Sequence, residues 1–288
     1  MAMRLRTLLG DHPGTTALKN GSIRSDLVEF EFVPFSPTNK GFKPMVRESA
    51  FDVSEMAIVT YLMAKSFDKA MVLLPDVVLA RFQHGHAIYN AKAGQHAPRD
   101  LNGKRVGIRS FTTTTGAWIR GILANDYGVN LDKIRWVTFE DPHVAEYVDT
   151  TERAPKEKKI LQMLLDGELD AVLGETSDHP RLKSLFPDPA AEAAKWYGRR
   201  GVVPVNHLVV VTEQLAKAHP DVVAGVYDLL KQNKAQTRPA AVPDLLPFGI
   251  EANRKPLELI VDYAFQQALI PRRYAVEELF DETTRGLN

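Results

Sequence analysis

Residues 109–123, RSFTTTTGAWIRGIL, set an arginine, a serine and four consecutive threonines ahead of a helical pattern. Threonine is poor helix-interior material, because its β-branch restricts χ1 and its hydroxyl competes for backbone partners. At the open N-terminus of a helix the same hydroxyls, the unpaired N–H groups and the helix dipole can hold an anion. The chemistry expected of Arg109, Ser110, Thr112, Thr113, Thr114 and Thr115 is therefore the grip of a carboxylate, with Arg109 adding charge. The bland alternative is a single capping hydroxyl, with the others solvated.

A second group of residues could move protons. His12 lies in GDHPG (10–14), either as a ligand contact or as part of a tight Asx turn at Asp11. Glu55, in FDVSEMA (51–57), either caps the helix that follows or faces a ligand. RFQHGHAIYN (81–90) alternates like a strand, so His84 and His86 would share one face, with Arg81 at its start. His-x-His on a strand can ligate a metal, as in amidohydrolase decarboxylases. Those sites need further His and Asp on a closed barrel of eight repeated units, and this chain is not organised that way; no metal is expected. Asn206 and His207, in VPVNHLVVV, would mirror this stretch on a return crossing. Two more polar loops follow predicted strands. TFEDPHVAEY (138–147) offers Glu140, Asp141 and His143, or merely a helix start at Asp141-Pro142. LGETSDHPR (173–181) offers Glu175, Ser177, Asp178 and His179, or a solvated surface loop.

The elements that must position these residues alternate between strand and helix. Strands are predicted at 5–10, 28–35, about 51–55, 81–90, 105–109, 134–139, 169–173 and 203–211, with another over 70–80 broken at Pro75. Helices are predicted at 57–67, 116–127 with Gly128 as C-cap, 155–166 as a basic helix, and in the tail at 220–235, 255–269 and 272–285. Such alternation indicates parallel βαβ units of the α/β class. The polar stretch 91–103 is a candidate hinge, and the chain is expected to leave one lobe near 85–95 and return near 203–210. The expected domains are 1–88 with 206–288 and the C-terminal helices, and 89–205. A ligand cleft between the lobes would lie beyond the carboxyl ends of the strands.

Composition excludes several classes. With 288 residues, 44% hydrophobic and 25% charged, the chain can bury a sizeable core. Its formal net charge of +0 gives no long-range attraction for nucleic acid or an anionic membrane, so neither partner is expected. It has no cysteine, which removes disulfides, thiolate catalysis and Cys-ligated zinc. No stretch reaches the ~20 apolar residues of a membrane span. The opening MAMRLRTLLGDHPGTT lacks the features of a secretory signal, so a cytoplasmic location is expected, or a periplasmic one if a signal has been removed. GxGxxG, GxxxxGK[ST], HExxH and GxSxG are missing, so nicotinamide, P-loop and hydrolase readings lose their usual support.

The order of several pieces is that of a known group. RVGIRSF with its Thr-rich turn, GAWIRGILANDYGV, ILQMLLDGELDAVL, the return VVPVNHLVVV and the tail NRKPLELIVDYAFQQALIPRRYAVEELFDETT resemble the 4,5-dihydroxyphthalate decarboxylase family. LDGELDAVL is shared with many binding proteins, whereas the W-x-R-G-I-L-x-x-x-Y-G-V helix and VEELF are closer to the decarboxylases. The resemblance implies a two-lobed, periplasmic-binding-protein-like (type II) fold, related to the solute-binding proteins of ABC importers. It implies decarboxylation of a hydroxylated aromatic acid without a cofactor. Glu55 or His12 would take a phenolic proton, and His84, His86 or His207 would protonate the ring. Arg81, Arg109, the Ser/Thr run, Glu175 and Asn206 would bind the substrate, a small carboxylate. The alternatives are a non-catalytic receptor serving an ABC permease, and an enzyme or sensor for a different small acid. The oligomeric state is left open, a homo-oligomer included.

Overall fold

A computed structural model describes residues 2–94, 96–237 and 243–288. In chain order its strands are β1 (Met3–Leu8), β2 (Val28–Phe32), β3 (Val53–Ala57), β4 (Met71–Ala80), β5 (Ala87–Asn90), β6 (Arg105–Ile108), β7 (Arg135–Thr138), β8 (Glu152–Arg153), β9 (Ala171–Leu173), β10 (Leu182–Ser184) and β11 (Val205–Thr212). The helices are α1 (Thr16–Lys19), α2 (Phe42–Glu48), α3 (Ile58–Ser66), α4 (Thr114–Tyr127), α5 (Ile160–Leu165), α6 (Pro189–Arg200), α7 (Glu213–Ala218), α8 (Pro220–Thr237) and α9 (Ile250–Gln266).

The chain forms two compact units. The first runs to Arg81 and adds Val205–Asp262 and Ile270–Asn288. The second is Phe82–Pro204 with Tyr263–Leu269. Within the first, the sheet order is β2-β1-β3-β11-β4; β1 is parallel to β2 and β3, and β11 runs antiparallel to β3 and β4. Its core joins Leu5, Val53, Leu74 and Val209 to Val223, Val226 and Leu230 of α8. Within the second, the order is β10-β5-β9-β6-β7-β8, with β9, β6, β7 and β8 parallel. Strand alternation divides its apolar residues between two faces. Ala87, Tyr89, Ala171 and Leu173 pack with Ile119 and Leu123 of α4, while Ile88 and Val172 pack with Met163 and Leu164 of α5.

Several expectations change. β4 runs through Pro75 unbroken. Leu208 and Val210 of β11 pair with Val77 and Leu73, so the irregular register passes over the residue that has no N–H to give. Residues 81–90 are not one strand: His84–His86 form a 3₁₀ turn, and β5 starts at Ala87. The basic helix shrinks to Ile160–Leu165, with Lys158 outside it and paired to Glu168 at 2.5 Å. The expected helix over 272–285 is a 3₁₀ turn, Val276–Leu279. Glu278 accepts the Ala275 N–H at 2.7 Å, and Asp281 accepts those of Thr283 and Thr284 at 3.0 and 2.9 Å. Such side-chain bonds compete with helical ones. α4 starts at Thr114 and ends at Gly128 in the left-handed conformation, φ +67°. Residues 91–103 lie inside the second unit, with Gln95 outside the described residues.

Within the second unit, Tyr263–Leu269 is pinned to α4 by Arg120 and Gln267. Arg120 Nε donates to Gln267 Oε1 at 2.8 Å, and Gln267 Nε2 donates to the Ala117 carbonyl at 2.9 Å. Tyr263 packs edge-on to Trp118, 5.7 Å between centroids. Gly121 makes this approach possible, since a Cβ there would overlap the Tyr263 ring. Gly121→Ala is therefore expected to destabilise by about 3 kcal/mol, read by urea unfolding; wild-type stability would show that the α4–Tyr263 contact is not close-packed.

Candidate functional site

Three elements of the first unit converge on one buried carboxylate. Glu55 is the third residue of β3 and 2% exposed. The loop after β1 brings the Gly10 N–H to Glu55 Oε2 at 2.8 Å and His12 Nε2 to the same oxygen at 3.3 Å. β11 brings His207 Nδ1 to Oε1 at 2.6 Å. The loop holds its shape through Thr15, whose hydroxyl donates to the Gly10 carbonyl at 2.6 Å. A Cβ at position 10 would lie 3.0 Å from Glu55 Oε2 and 2.8 Å from Thr38 Oγ1, so a larger residue would have to displace these side chains. On β11, Val205 pairs with Ala80 and His207 with Leu79, so Asn206 is the extra residue of a β-bulge, the device that re-aims neighbouring side chains. The Phe42 ring meets the His207 ring edge-on at 5.2 Å.

Electrostatics fix the protons. Burial pushes the Glu55 carboxyl up, but hydrogen bonds and charge from His12 and His207 outweigh it, and the group is held well below the usual carboxylate range. An ionised carboxylate only accepts, so His12 Nε2 and His207 Nδ1 both carry hydrogens. His12 Nδ1 and His207 Nε2 are then the ring nitrogens not engaged by Glu55, on rings each 18% exposed. Asp76 of β4 lies on the other side of β11: its Oδ1 accepts the N–H of Val209, which pairs with Glu55 on β3. Full burial raises the Asp76 carboxyl well above its ordinary value, the opposite direction to Glu55. Among the described residues, no group of three or more His, Cys, Asp or Glu side chains is arranged to hold a metal ion.

In the second unit, loops following the parallel strands β6, β7 and β9 carry the remaining candidates. Arg109 Nε stands 3.8 Å from Glu140 Oε2. Burial raises Glu175, with Arg109 opposing and Glu140 adding to the shift, so Arg109 lies in the field of two acids. Ser110 and Thr112 are buried and share a hydrogen bond of 3.1 Å. Thr113 is the N-cap of α4, yet its hydroxyl donates to the Ser110 carbonyl at 3.1 Å, so no side chain caps the helix. Thr114 and Thr115 occupy the first helical positions, Thr114 buried and Thr115 half-buried. The run thus shapes its own turn before any ligand is considered. Ser177 and His179 are engaged locally, the Ser177 hydroxyl accepting the His179 N–H and His179 Nδ1 accepting the Arg181 N–H.

Other candidates fall elsewhere. His84 is buried with its ring against Phe186 and Trp196, at 5.0 and 6.1 Å, and neither ring nitrogen has a hydrogen-bond partner among the described residues. Burial pushes it down to about 4. It packs as an aromatic core residue. His86, on the same turn, is half-buried and does not share a strand face with it. Arg81 is half-buried at the end of its unit, and Asn206 is buried in the bulge. Sequence reading missed the Gly10 N–H, Thr15 and Asp76. Only the glycine in GDHPG carried a signal for them, since a backbone donor leaves no side-chain trace.

No family model matches the chain. A 4,5-dihydroxyphthalate decarboxylase of Comamonas testosteroni is 29% identical over 249 residues, covering 81% of this chain and 75% of the relative. A protein of the same name from Pseudomonas putida is 26% identical over 211 residues, 68% of this chain and 81% of the relative. This chain resembles the 4,5-dihydroxyphthalate decarboxylases. Among solved structures, the periplasmic aliphatic sulphonate binding protein SsuA of Escherichia coli aligns with a TM-score of 0.59 at 12% identity, over 98% of this chain and 92% of that one. The desulfurization enzyme DSZB aligns with a TM-score of 0.59 at 12% identity, over 98% and 97%. The fold of this decarboxylase-like chain is that of the type II periplasmic binding proteins. No helix among the described residues is long and apolar enough to cross a membrane.

Two titrations test these assignments. Glu55 is depressed below its ordinary value of 4.5, so its contribution is fully present above that pH and is lost as pH falls. The stability gap between wild type and Glu55→Gln in urea unfolding should therefore narrow on acidification; a gap that widens would contradict an ionised Glu55. His84 is depressed from 6.5 to about 4, so wild type should lose stability as pH falls across that interval. His84→Phe should lack that component, and an unchanged profile would refute the burial argument.

Proposed function

We propose that this protein decarboxylates a hydroxylated aromatic acid of the 4,5-dihydroxyphthalate type without a cofactor. The observation that carries the reading is the ionised Glu55 holding two partly buried histidines in defined tautomers. The names of its sequence relatives support the same chemistry. A phenolic oxygen para to the carboxylate that leaves must lose its proton, which drives electron density onto the ring carbon bearing that carboxylate. An acid then protonates that carbon. The electrons of the C–COO bond return to the ring as carbon dioxide departs. His12 Nδ1 takes the phenolic proton, and His207 Nε2 supplies the ring proton. Glu55, already accepting three N–H groups, positions the histidines and stabilises their charged forms rather than acting as the base itself. Arg109, in the field of Glu140 and Glu175, is the proposed partner for a substrate carboxylate.

The second reading, a receptor for an organic anion, draws on SsuA-like fold alone. Fold does not fix function, and DSZB, an enzyme, shares it. Incubation with 4,5-dihydroxyphthalate in D₂O separates the two. The enzyme releases carbon dioxide and returns a dihydroxybenzoate deuterated at the vacated carbon; binding without carbon dioxide release would favour the receptor. His207→Gln and Glu55→Gln should each lower kcat about 100-fold or more. Arg109→Ala should raise KM about 10-fold or more, through loss of a charge-assisted hydrogen bond; unchanged kinetics would remove Arg109 from the site.

A further inference from the structure

The second unit holds a cavity of about 380 Å³ that none of this chemistry uses. Its aromatic wall is Phe111, Trp136 and Tyr147, and Arg135 and Glu152 also line it. The volume suits a single-ring ligand. Phe111 and Trp136 pack edge to face, 5.7 Å between centroids and 69° apart, and so form one continuous aromatic wall.

Charge decides what enters. Arg120 is fully buried and does not line the cavity, but its guanidinium lies 3.8 Å from the Phe111 ring centroid and 5.6 Å from that of Trp136. Its Nη2 donates to the Phe111 carbonyl at 2.7 Å, while Nη1 is buried without a partner among the described residues. No carboxylate hydrogen-bonds to this cation among the described residues, and burial pushes it down to about 9. A guanidinium behind Phe111 draws on the ring's electron density, so the face left for a ligand favours electron-rich rings and disfavours cations. At the mouth, Arg135 is exposed and has no ion pair among the described residues. Glu152 is committed to Arg105, whose Nε stands 3.3 Å from its Oε2. The net offer is an aromatic wall with one cation, Arg135, that has no ion pair among the described residues.

We infer that this cavity is a binding site for a planar aromatic carboxylate, its ring against the wall of Phe111, Trp136 and Tyr147 and its carboxylate on Arg135. The inference stands apart from the proposed reaction, because every residue in it belongs to the second unit and none to the Glu55 network. Phe111 lies between Ser110 and Thr112, so a ligand here would brace the loop that carries Arg109.

The indole N–H of Trp136, which donates to the Leu131 carbonyl at 3.3 Å, provides the probe. Trp118 and Trp196 are both 0% exposed, so ligand contact should reach Trp136 alone. In ¹⁵N–¹H spectra with Trp136→Phe used for assignment, 4-hydroxybenzoate should shift that one indole signal saturably. The shift should persist in Glu55→Gln, and in Arg135→Gln the affinity should fall ~10-fold or more with the other indole signals unmoved. Benzyl alcohol should bind more weakly than the acid, and benzylamine most weakly of all. An absent shift, equal binding of benzylamine, full affinity in Arg135→Gln, or loss in Glu55→Gln would each overturn the site. Failure of decarboxylation with this shift intact would count against the proposed reaction alone.

Discussion

A single buried negative charge organises the first unit. Glu55 could not remain ionised at 2% exposure unless donors replaced the water it gave up. Those donors come from sequence positions far apart: the backbone at Gly10, the ring of His12 and the ring of His207. The loop after β1, the middle of β3 and the bulge in β11 are thereby held at one point. The same charge fixes the tautomers of both histidines and hence the nitrogens they can turn toward a ligand. Asp76 shows the opposite outcome across β11. Backbone N–H groups alone face it, and full burial raises its carboxyl well above the ordinary value. Two carboxyls flanking one strand are thus shifted in opposite directions, and the difference is that two histidine rings face Glu55.

The second unit handles its polar groups differently. Arg109 is half-exposed and lies in the field of Glu140 and Glu175. Arg120 is buried with no carboxylate bonded to it among the described residues, held by one amide, one carbonyl and the face of Phe111. The Ser/Thr run between them is largely occupied with its own turn. A run of hydroxyls ahead of a helix reads in sequence as a ligand grip, but each hydroxyl must satisfy its own hydrogen-bonding needs first. Buried hydroxyls of Ser110 and Thr112 find partners in each other.

The α/β class, most strands, α4 with its Gly128 stop, and the resemblance to the decarboxylases were legible in the sequence, because each rests on local periodicity, turn residues or a run of matched motifs. His12, Glu55, Arg109 and His207 were recognisable as chemically capable residues. Their grouping was not, since residues 12, 55 and 207 acquire a common location only when β1, β3 and β11 become neighbours in one sheet. His84 illustrates the converse. Its type and its spacing from His86 suggested chemistry, yet a three-residue turn placed the ring between Phe186 and Trp196. The alternation of 81–90 carried no sign of that turn. Pro75 likewise read as a strand break, whereas the partner strand skips it by an irregular register. Residue type and period are properties of the chain alone, so the sequence determined which groups could do chemistry and which elements would carry them. Burial, protonation state and partnership depend on what the fold brings alongside each group, and for Glu55, Asp76 and His84 only the tertiary structure decided them.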